Sequence, residues 1–321
     1  MEQGIIRTTT EVVEVEEARD VYDAFLDSLD TSARTKDTYG KALRRWAAWL
    51  DSDAMGCFDA SREDVIRYRD SMAAEGLKAS TVNTYLTAVR CFYRWTDSIG
   101  RYPNIAAGVR GLKQSGAGAK DSLTVEQARR VLDEDTGTLK AKRDHAMVNL
   151  MLRRGLRTIE VARADIGDIQ QMGGQVVLFI QGKGYSDKGA FVVLSDEVLQ
   201  PIYDYLDARG VDDPSAPLFA SLSNRNMGGR MSTRSVSRVV KERMKACGLS
   251  SARLTAHSLR HTAVTFALLS GASLQETQAM ARHASIETTL IYAHNLQRLD
   301  ARAERGVDDY IRTGAARRRA A

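Results

Sequence analysis

Apolar positions recur every three to four residues along most of the chain, and the elements this spacing predicts are helices. From residue 17 to 110 every periodic segment reads this way. The clearest runs from Arg34 to Leu50: at about 100° per residue, Tyr39, Leu43, Trp46 and Leu50 share a sector of roughly 60° and form the core face. Arg34, Lys41 and Arg45 fall together on the opposite side as a basic stripe. A second helix starts near Ser80, with Val82, Leu86, Val89 and Tyr93 apolar and Asn83, Thr87, Arg90 and Arg94 polar. Between the two, Ser61 is placed to cap a helix opening Arg62-Glu63-Asp64.

The period then fails. Gly111 to Lys120, GLKQSGAGAK, is small, polar and glycine-rich, the composition of a flexible tether. Thr124 and Gln127 have capping-box spacing and announce the next helix, and helices continue to about Ala164. One stretch alternates instead: Ile169 and its neighbours, a Gly173-Gly174 turn, Gln175 to Gln181, the polar loop GKGYSDKG, and Ala190 to Leu194. Helices resume from Ser195, with breaks near Gly210 to Pro217 and Gly248 to Leu254, and 296–311 reads as a single amphipathic helix. The predicted fold is mainly α with a small antiparallel β-sheet. Its parts are an N-terminal tail (1–16), a helical domain (17–110), a linker (111–121), an α+β domain with a C-terminal helix (122–311) and a basic tail (312–321).

Composition narrows the setting more than the function. The longest apolar runs, such as Val176 to Ile180, fall far short of the ~18 residues a membrane span needs. The opening MEQGII lacks a secretory pattern, and Cys57, Cys91 and Cys247 are odd in number and far apart, so a reducing cytoplasm is expected. Lys and Arg number 46 against 41 Asp and Glu, a balance compatible with nucleic acid but shared by many enzymes.

The candidate chemistry begins at HSLRHT, His257 to Thr262. Histidines four apart could share a metal, but a zinc peptidase needs glutamate after the first histidine, and here Ser258 stands there. Arg260 between them would also repel a dication. His257 and Arg260, three apart, instead share a helix face on which an arginine fork can grip phosphate oxygens beside an imidazole. Upstream, Glu160 is spaced to hold Arg157 in GLRTIE; downstream, Ala281-Arg282-His283 precedes Tyr292 in SIETTLIYAH, with Ser285 placed to cap that helix. Seen alone, each is ordinary: a helix ion pair, a core histidine, a half-buried tyrosine.

Five strings occur together in order: G-L-R-x-x-E, the G-K-G hairpin, H-x-L-R-H-T, R-H-A-S and T-T-x-x-Y-x-H. Over residues 17 to 300 the chain resembles the tyrosine recombinase (phage integrase) family, in particular its short Xer-type members and mobile-element integrases. The resemblance implies a helical core-binding domain and a catalytic domain closing round duplex DNA. It also implies cleavage by tyrosine attack on a phosphodiester, leaving a 3′-phosphotyrosine that a second 5′-hydroxyl reseals. Tyr292 would be the nucleophile, Arg157 and Arg260 the phosphate clamp, His257 the base and His283 a further donor to the phosphate. The family's hairpin lysine protonates the leaving oxygen; Lys183 matches by its G-K-G setting, and Lys188 is the second candidate. With arginines in the role of a metal, no cofactor or metal is required.

His261 and His294 are expected to be structural. Arg282 departs from the pattern, since many relatives carry glycine there. Arg34, Lys41, Arg45, Arg90 and Arg94 are the expected phosphate contacts in the helical domain. Partners implied are double-stranded DNA, a homotetramer with two protomers per site, and, in some settings, a directionality factor; the location would be cytoplasmic, at the nucleoid. The expected task is integration or excision of a mobile element. Xer-type chromosome-dimer resolution, type IB topoisomerase relaxation and a non-catalytic DNA-binding accessory role are the alternatives.

Overall fold

The computed structural model describes residues 21–113, 122–133, 136–182, 187–299 and 302–313. It divides into two compact units, the first ending at Gly118 and the second beginning at Ala119. No helix among the described residues is long and apolar enough to cross a membrane.

The regular elements among the first unit's described residues are all helices. Helix α1 covers residues 21–28, followed by α2 (Ala33–Ser52), α3 (Arg62–Ala74) and α4 (Ala79–Ser98). Ser61 caps α3 in a capping box closed by Asp64. The expected stripes face inward: Leu43, Trp46 and Leu50 on α2 and Val82, Leu86, Val89 and Tyr93 on α4 are buried, while Tyr39 is half-buried. Burial of each large apolar side chain stabilises by about 1.5–3 kcal/mol. The polar atoms drawn in are paired, as Trp46 Nε1 donates to Tyr93 Oη (3.2 Å), which donates to the Cys57 carbonyl (2.8 Å).

The beginning of the expected tether belongs to this unit. Asn83 brackets Leu112, accepting from its N–H (2.8 Å) and donating to its carbonyl (2.9 Å). Residues 1–20 and 114–121, which hold the expected N-terminal tail and the rest of the tether, lie outside the described residues.

The second unit opens with α5 (Val125–Leu132), whose Thr124–Gln127 capping box is formed as the spacing predicts. Helices α6 (Leu139–Arg154) and α7 (Thr158–Arg163) lead to a three-stranded antiparallel sheet, β1 (Ile169–Met172), β2 (Gln175–Ile180) and β3 (Ala190–Val193), in the order β1-β2-β3. Gly173 and Gly174 both have positive φ, 57° and 78°, as a two-residue hairpin turn requires. Then follow α8 (Asp196–Arg209), α9 (Thr233–Ala246), α10 (Ala256–Leu269), α11 (Leu274–Ala281), α12 (Ile286–Leu299) and α13 (Arg302–Thr313). One face of the sheet, through Leu178, Ile180 and Val192, joins Met147, Leu150, Met151, Val198, Ile202, Tyr205, Val236, Val240 and Leu259 in the core.

The expected helix over 296–311 is helical at each of its described residues, in α12 up to Leu299 and in α13 from Arg302, and residues 300–301 lie outside the described residues. Helix α13 also runs to Thr313, two residues into the expected basic tail, of which 314–321 lie outside the described residues.

Candidate active site

The site is organised by the turn after α6. Gly155 ends that helix in the left-handed region (φ 62°), which a glycine enters without a Cβ penalty. A Cβ there would also press on Ala263 of α10 at 3.4 Å. The turn leaves Arg157 as the N-cap of α7, and Glu160 folds back on it: Oε2 accepts from the Arg157 backbone N–H and Oε1 from Nη1, each at 2.8 Å. Glu160 is fully buried. Burial by itself would raise its pKa, but the charge of Arg282, the Arg157 backbone N–H and the Arg157 charge outweigh it and hold the carboxylate below its usual range.

Arg260 enters from α10 with only 1% of its surface exposed. Its Nη1 donates to the Gly155 carbonyl (2.7 Å) and its Nη2 to the Ala281 carbonyl. Burial, with Arg157 and Arg282 alongside, pushes this guanidinium down to about 9. Arg282 closes α11 in the left-handed region (φ 54°, ψ 48°). Its Nη2 donates to Glu160 Oε2 (2.8 Å) and to the Gly155 carbonyl (3.2 Å), while its own carbonyl accepts from Arg157 Nη2 (3.3 Å). Three arginines thus converge round one carboxylate, leaving an excess of positive charge in a largely dry pocket.

Tyr292 rises into this region from α12, whose start is fixed by Ser285 accepting from the Glu287 N–H (3.1 Å). Its hydroxyl is hydrogen-bonded to His261 Nδ1, and its ring stacks on His283 with centroids 6.2 Å apart. Burial raises the phenol above its ordinary value, and the charge of Arg260 pulls the other way. His283 is buried, with Nδ1 2.9 Å from Thr289 Oγ1. Desolvation, then the charges of Arg260, Arg157 and Arg282, depress it to about 4, so the imidazole is neutral near pH 7. His257 is exposed and lies edge-on to His261, centroids 4.6 Å apart.

The two lysines of the hairpin loop fare differently. Lys188 bonds Asp165 Oδ2 (2.7 Å) and Asp168 Oδ2 (2.6 Å); burial would lower its pKa, but these carboxylates raise it. Lys183 lies outside the described residues. Gly182, the residue before Lys183, has its carbonyl bonded by Arg163 Nη1 (3.2 Å).

Comparison with known sequences decides the family. The profile of the phage integrase family matches residues 121–298, and that of the phage integrase N-terminal SAM-like domain matches residues 21–98. The chain belongs to the phage integrase family of tyrosine recombinases. A tyrosine recombinase of Synechococcus elongatus is 30% identical over 259 residues, 80% of this chain and 78% of that one. The tyrosine recombinase XerC of Pelobacter propionicus is 30% identical, covering 84% of this chain and 87% of its own. Among solved structures, the XerH site-specific recombinase in a post-cleavage complex with a difH substrate superposes with TM-score 0.70 at 20% identity, over 84% of this chain and 80% of that one. The Tn1549 transposon integrase with transposon right-end DNA also reaches 0.70 at 16% identity, over 88% and 99%. At these identities the superpositions speak for the fold.

In the recombinase, then, Arg157, Arg260, His283 and Tyr292 come together, with His257 at the exposed edge. Sequence reasoning missed two neighbours. His261, expected to stand behind the site, touches the phenolic oxygen itself; its place four residues after His257 on one helix face was the available signal. Arg282, noted in the sequence as a substitution for glycine, occupies the backbone conformation glycine favours and adds a third guanidinium.

The expected phosphate contacts of the recombinase's first unit are mixed. Arg34 and Arg94 are exposed. Lys41 pairs with Asp37 (2.7 Å) and Arg45 with Glu75, both at the surface, where such pairs are weak and easily exchanged. Arg90 is half-buried and donates to the Val109 carbonyl, which ties α4 to the segment after it.

Proposed function

We propose that Tyr292 Oη attacks the phosphorus of a DNA phosphodiester, expels the 5′-oxygen and leaves the recombinase joined to DNA through a 3′-phosphotyrosine. The observation that supports this best is the setting of Tyr292: its hydroxyl bonded to His261, its ring stacked on His283 and its oxygen within the field of buried Arg260. Phosphoryl transfer asks chiefly for fixed positive charge on the nonbridging oxygens, and Arg157 and Arg260 supply it without a metal. Each terminal nitrogen of a guanidinium carries two N–H groups, so Arg260 keeps donors beyond those given to Gly155 and Ala281.

The phenolic proton passes to the His257–His261 pair, with His261 the first acceptor and His257 the base nearer solvent. Neutral His283, with Nδ1 accepting from Thr289, presents Nε2–H to the phosphate. The 5′-oxygen, a poor leaving group, takes its proton from Lys183. The carboxylates that hold Lys188 favour this assignment, since a lysine bound to two aspartates is a weaker acid. The phosphotyrosine keeps the energy of the broken bond, so a second 5′-hydroxyl reseals the strand without ATP, and strand exchange follows.

The substrate is duplex DNA, held partly by Arg34, Lys41, Arg45, Arg90 and Arg94 and acted on by a tetramer with two protomers per site. Exposed Val307, Tyr310 and Ile311 on α13 offer an apolar stripe for a neighbouring protomer. The physiological task is movement of a mobile element, at the nucleoid, with a directionality factor as a further partner. A second reading, Xer-type resolution of chromosome dimers, is favoured by relatives named XerC and XerD. Deleting the gene separates them: dimers accumulate under the second reading only.

The test of the chemistry is a suicide duplex nicked beside the cleavage position. A covalent protein–DNA adduct forms with the wild type and is absent with Tyr292→Phe; an adduct with the phenylalanine variant removes Tyr292 as nucleophile. Incubation with two sites yields exchanged products, whereas relaxation of supercoils without exchange would make the protein a topoisomerase.

A further inference from the structure

We propose that Arg282 is a positioning residue for strand cleavage, holding Glu160 and the 280–282 backbone so that Arg157 and Arg260 are presented together to the scissile phosphate. The inference rests on the reading above. The side chain is 11% exposed and points into the protein, bonding Glu160 Oε2, the Gly155 carbonyl and the Met280 carbonyl, so it does not itself reach DNA. The first two of those bonds lead to a clamp arginine. Glu160 divides its two oxygens between Arg282 and Arg157; Gly155 offers one carbonyl to both Arg282 and Arg260. The backbone does the same, with the Arg282 carbonyl taking Arg157 Nη2 and the Ala281 carbonyl taking Arg260 Nη2.

A simple helix stop would be built otherwise. The left-handed conformation at this position favours glycine or asparagine, and an arginine there is strained. Its guanidinium is buried beside two like charges, with Nε lacking a hydrogen-bond partner. Burial lowers the pKa of both Arg260 and Arg282, and repulsion adds to it, from Arg157 and Arg282 on the first and from Arg157 on the second. Strain, desolvation and repulsion all oppose folding; what the arrangement provides is one rigid frame for two guanidiniums whose phosphate is still to arrive.

The experiment compares wild type, Arg282→Gly and Arg282→Lys on the nicked duplex, measuring single-turnover cleavage at saturating protein, DNA affinity and thermal stability. Arg282→Gly relaxes the backbone and deletes the link, so cleavage slows about tenfold or more while Kd stays within about twofold and Tm does not fall. Arg282→Lys keeps one contact to Glu160 but not the fork, and cleaves at an intermediate rate with unchanged Kd. Cleavage by Arg282→Gly within about twofold of wild type overturns the proposal, as does a loss shared equally by rate, affinity and Tm. Should the glycine variant not fold, a wild-type rate in Arg282→Lys overturns it and a slowed rate at unchanged Kd supports it. An adduct with Tyr292→Phe in the same assay would strike the nucleophile assignment and leave the Arg282 comparison readable.

Discussion

Replacing Glu160 by glutamine removes the negative charge paired with Arg157 and Arg282 while keeping the volume of the side chain. The glutamine carbonyl can still accept the Arg157 backbone N–H and Arg282 Nη2, but both ion pairs, each 2.8 Å long, are lost and the amide NH2 faces Arg157 Nη1, donor against donor. Removing one partner of a buried pair costs about 3–5 kcal/mol, and the retained carbonyl argues for the lower end, about 3 kcal/mol. For a unit of this size that corresponds to a fall in Tm of roughly 6–12 °C. The two units allow an internal control. The three tryptophans, Trp46, Trp49 and Trp95, all lie in the first unit, so tryptophan fluorescence follows that unit and far-UV circular dichroism follows both. The circular-dichroism transition should move and the fluorescence transition should not. The sign of the pH dependence is fixed as well: a carboxylate whose folded pKa is lowered contributes stability that is present above its unfolded value, about 4.5, and lost as pH falls through the folded value. The gap between wild type and variant should therefore be full at pH 7 and close below about pH 4.5. A Tm change under about 2 °C, or a gap that ignores pH, would refute the view that Glu160 is the counter-charge of the clamp.

Lys183→Ala should slow cleavage of the natural phosphodiester and recover on a substrate whose 5′-bridging oxygen is sulfur, because a thiolate leaves without a proton; recovery in Lys188→Met instead would exchange the two lysines' roles. Lys188→Met should leave cleavage within about threefold of wild type and lower stability by no more than about 1 kcal/mol, since its ion pairs are partly solvated. Changing Lys41 and Arg45 to alanine should reduce the slope of log affinity against log salt by about one unit per lost phosphate contact, and an unchanged slope removes them from the interface.

What the sequence made legible was whatever depends on neighbours a few residues away. The stripes of α2 and α4, the caps at Ser61 and Thr124, and the Gly173-Gly174 hairpin follow from periods of 3.6 and 2 and from the backbone freedom of glycine. The pairing of Arg157 with Glu160 was readable for the same reason, being three residues apart on one helical turn. What stayed hidden depends on how α10, α11 and α12 meet. That His261 reaches Tyr292 is a contact across 31 positions, and that Arg282 reaches Glu160 spans 122. The bond from Arg90 to the Val109 carbonyl was hidden for a related cause, because a place on the polar side of α4 says nothing of the carbonyl that returns to meet it.

These hidden contacts explain why a strained and repulsive arrangement persists. A folded protein keeps unfavourable local geometry only where its surroundings over-determine it, and here one carboxylate, four backbone carbonyls and a left-handed residue fix three cations that would otherwise separate. The free enzyme is thereby left with more positive than negative charge around buried Arg260, whose pKa burial lowers first and the charges of Arg157 and Arg282 lower further. On the proposed reading a DNA phosphate would supply the missing charge, so the interaction that binds the backbone linkage would also be the one that relieves the protein. Because the cations are held before DNA arrives, little reorganisation remains to be done as charge spreads over the phosphoryl oxygens in the transition state, which is the condition under which fixed charges accelerate a reaction most.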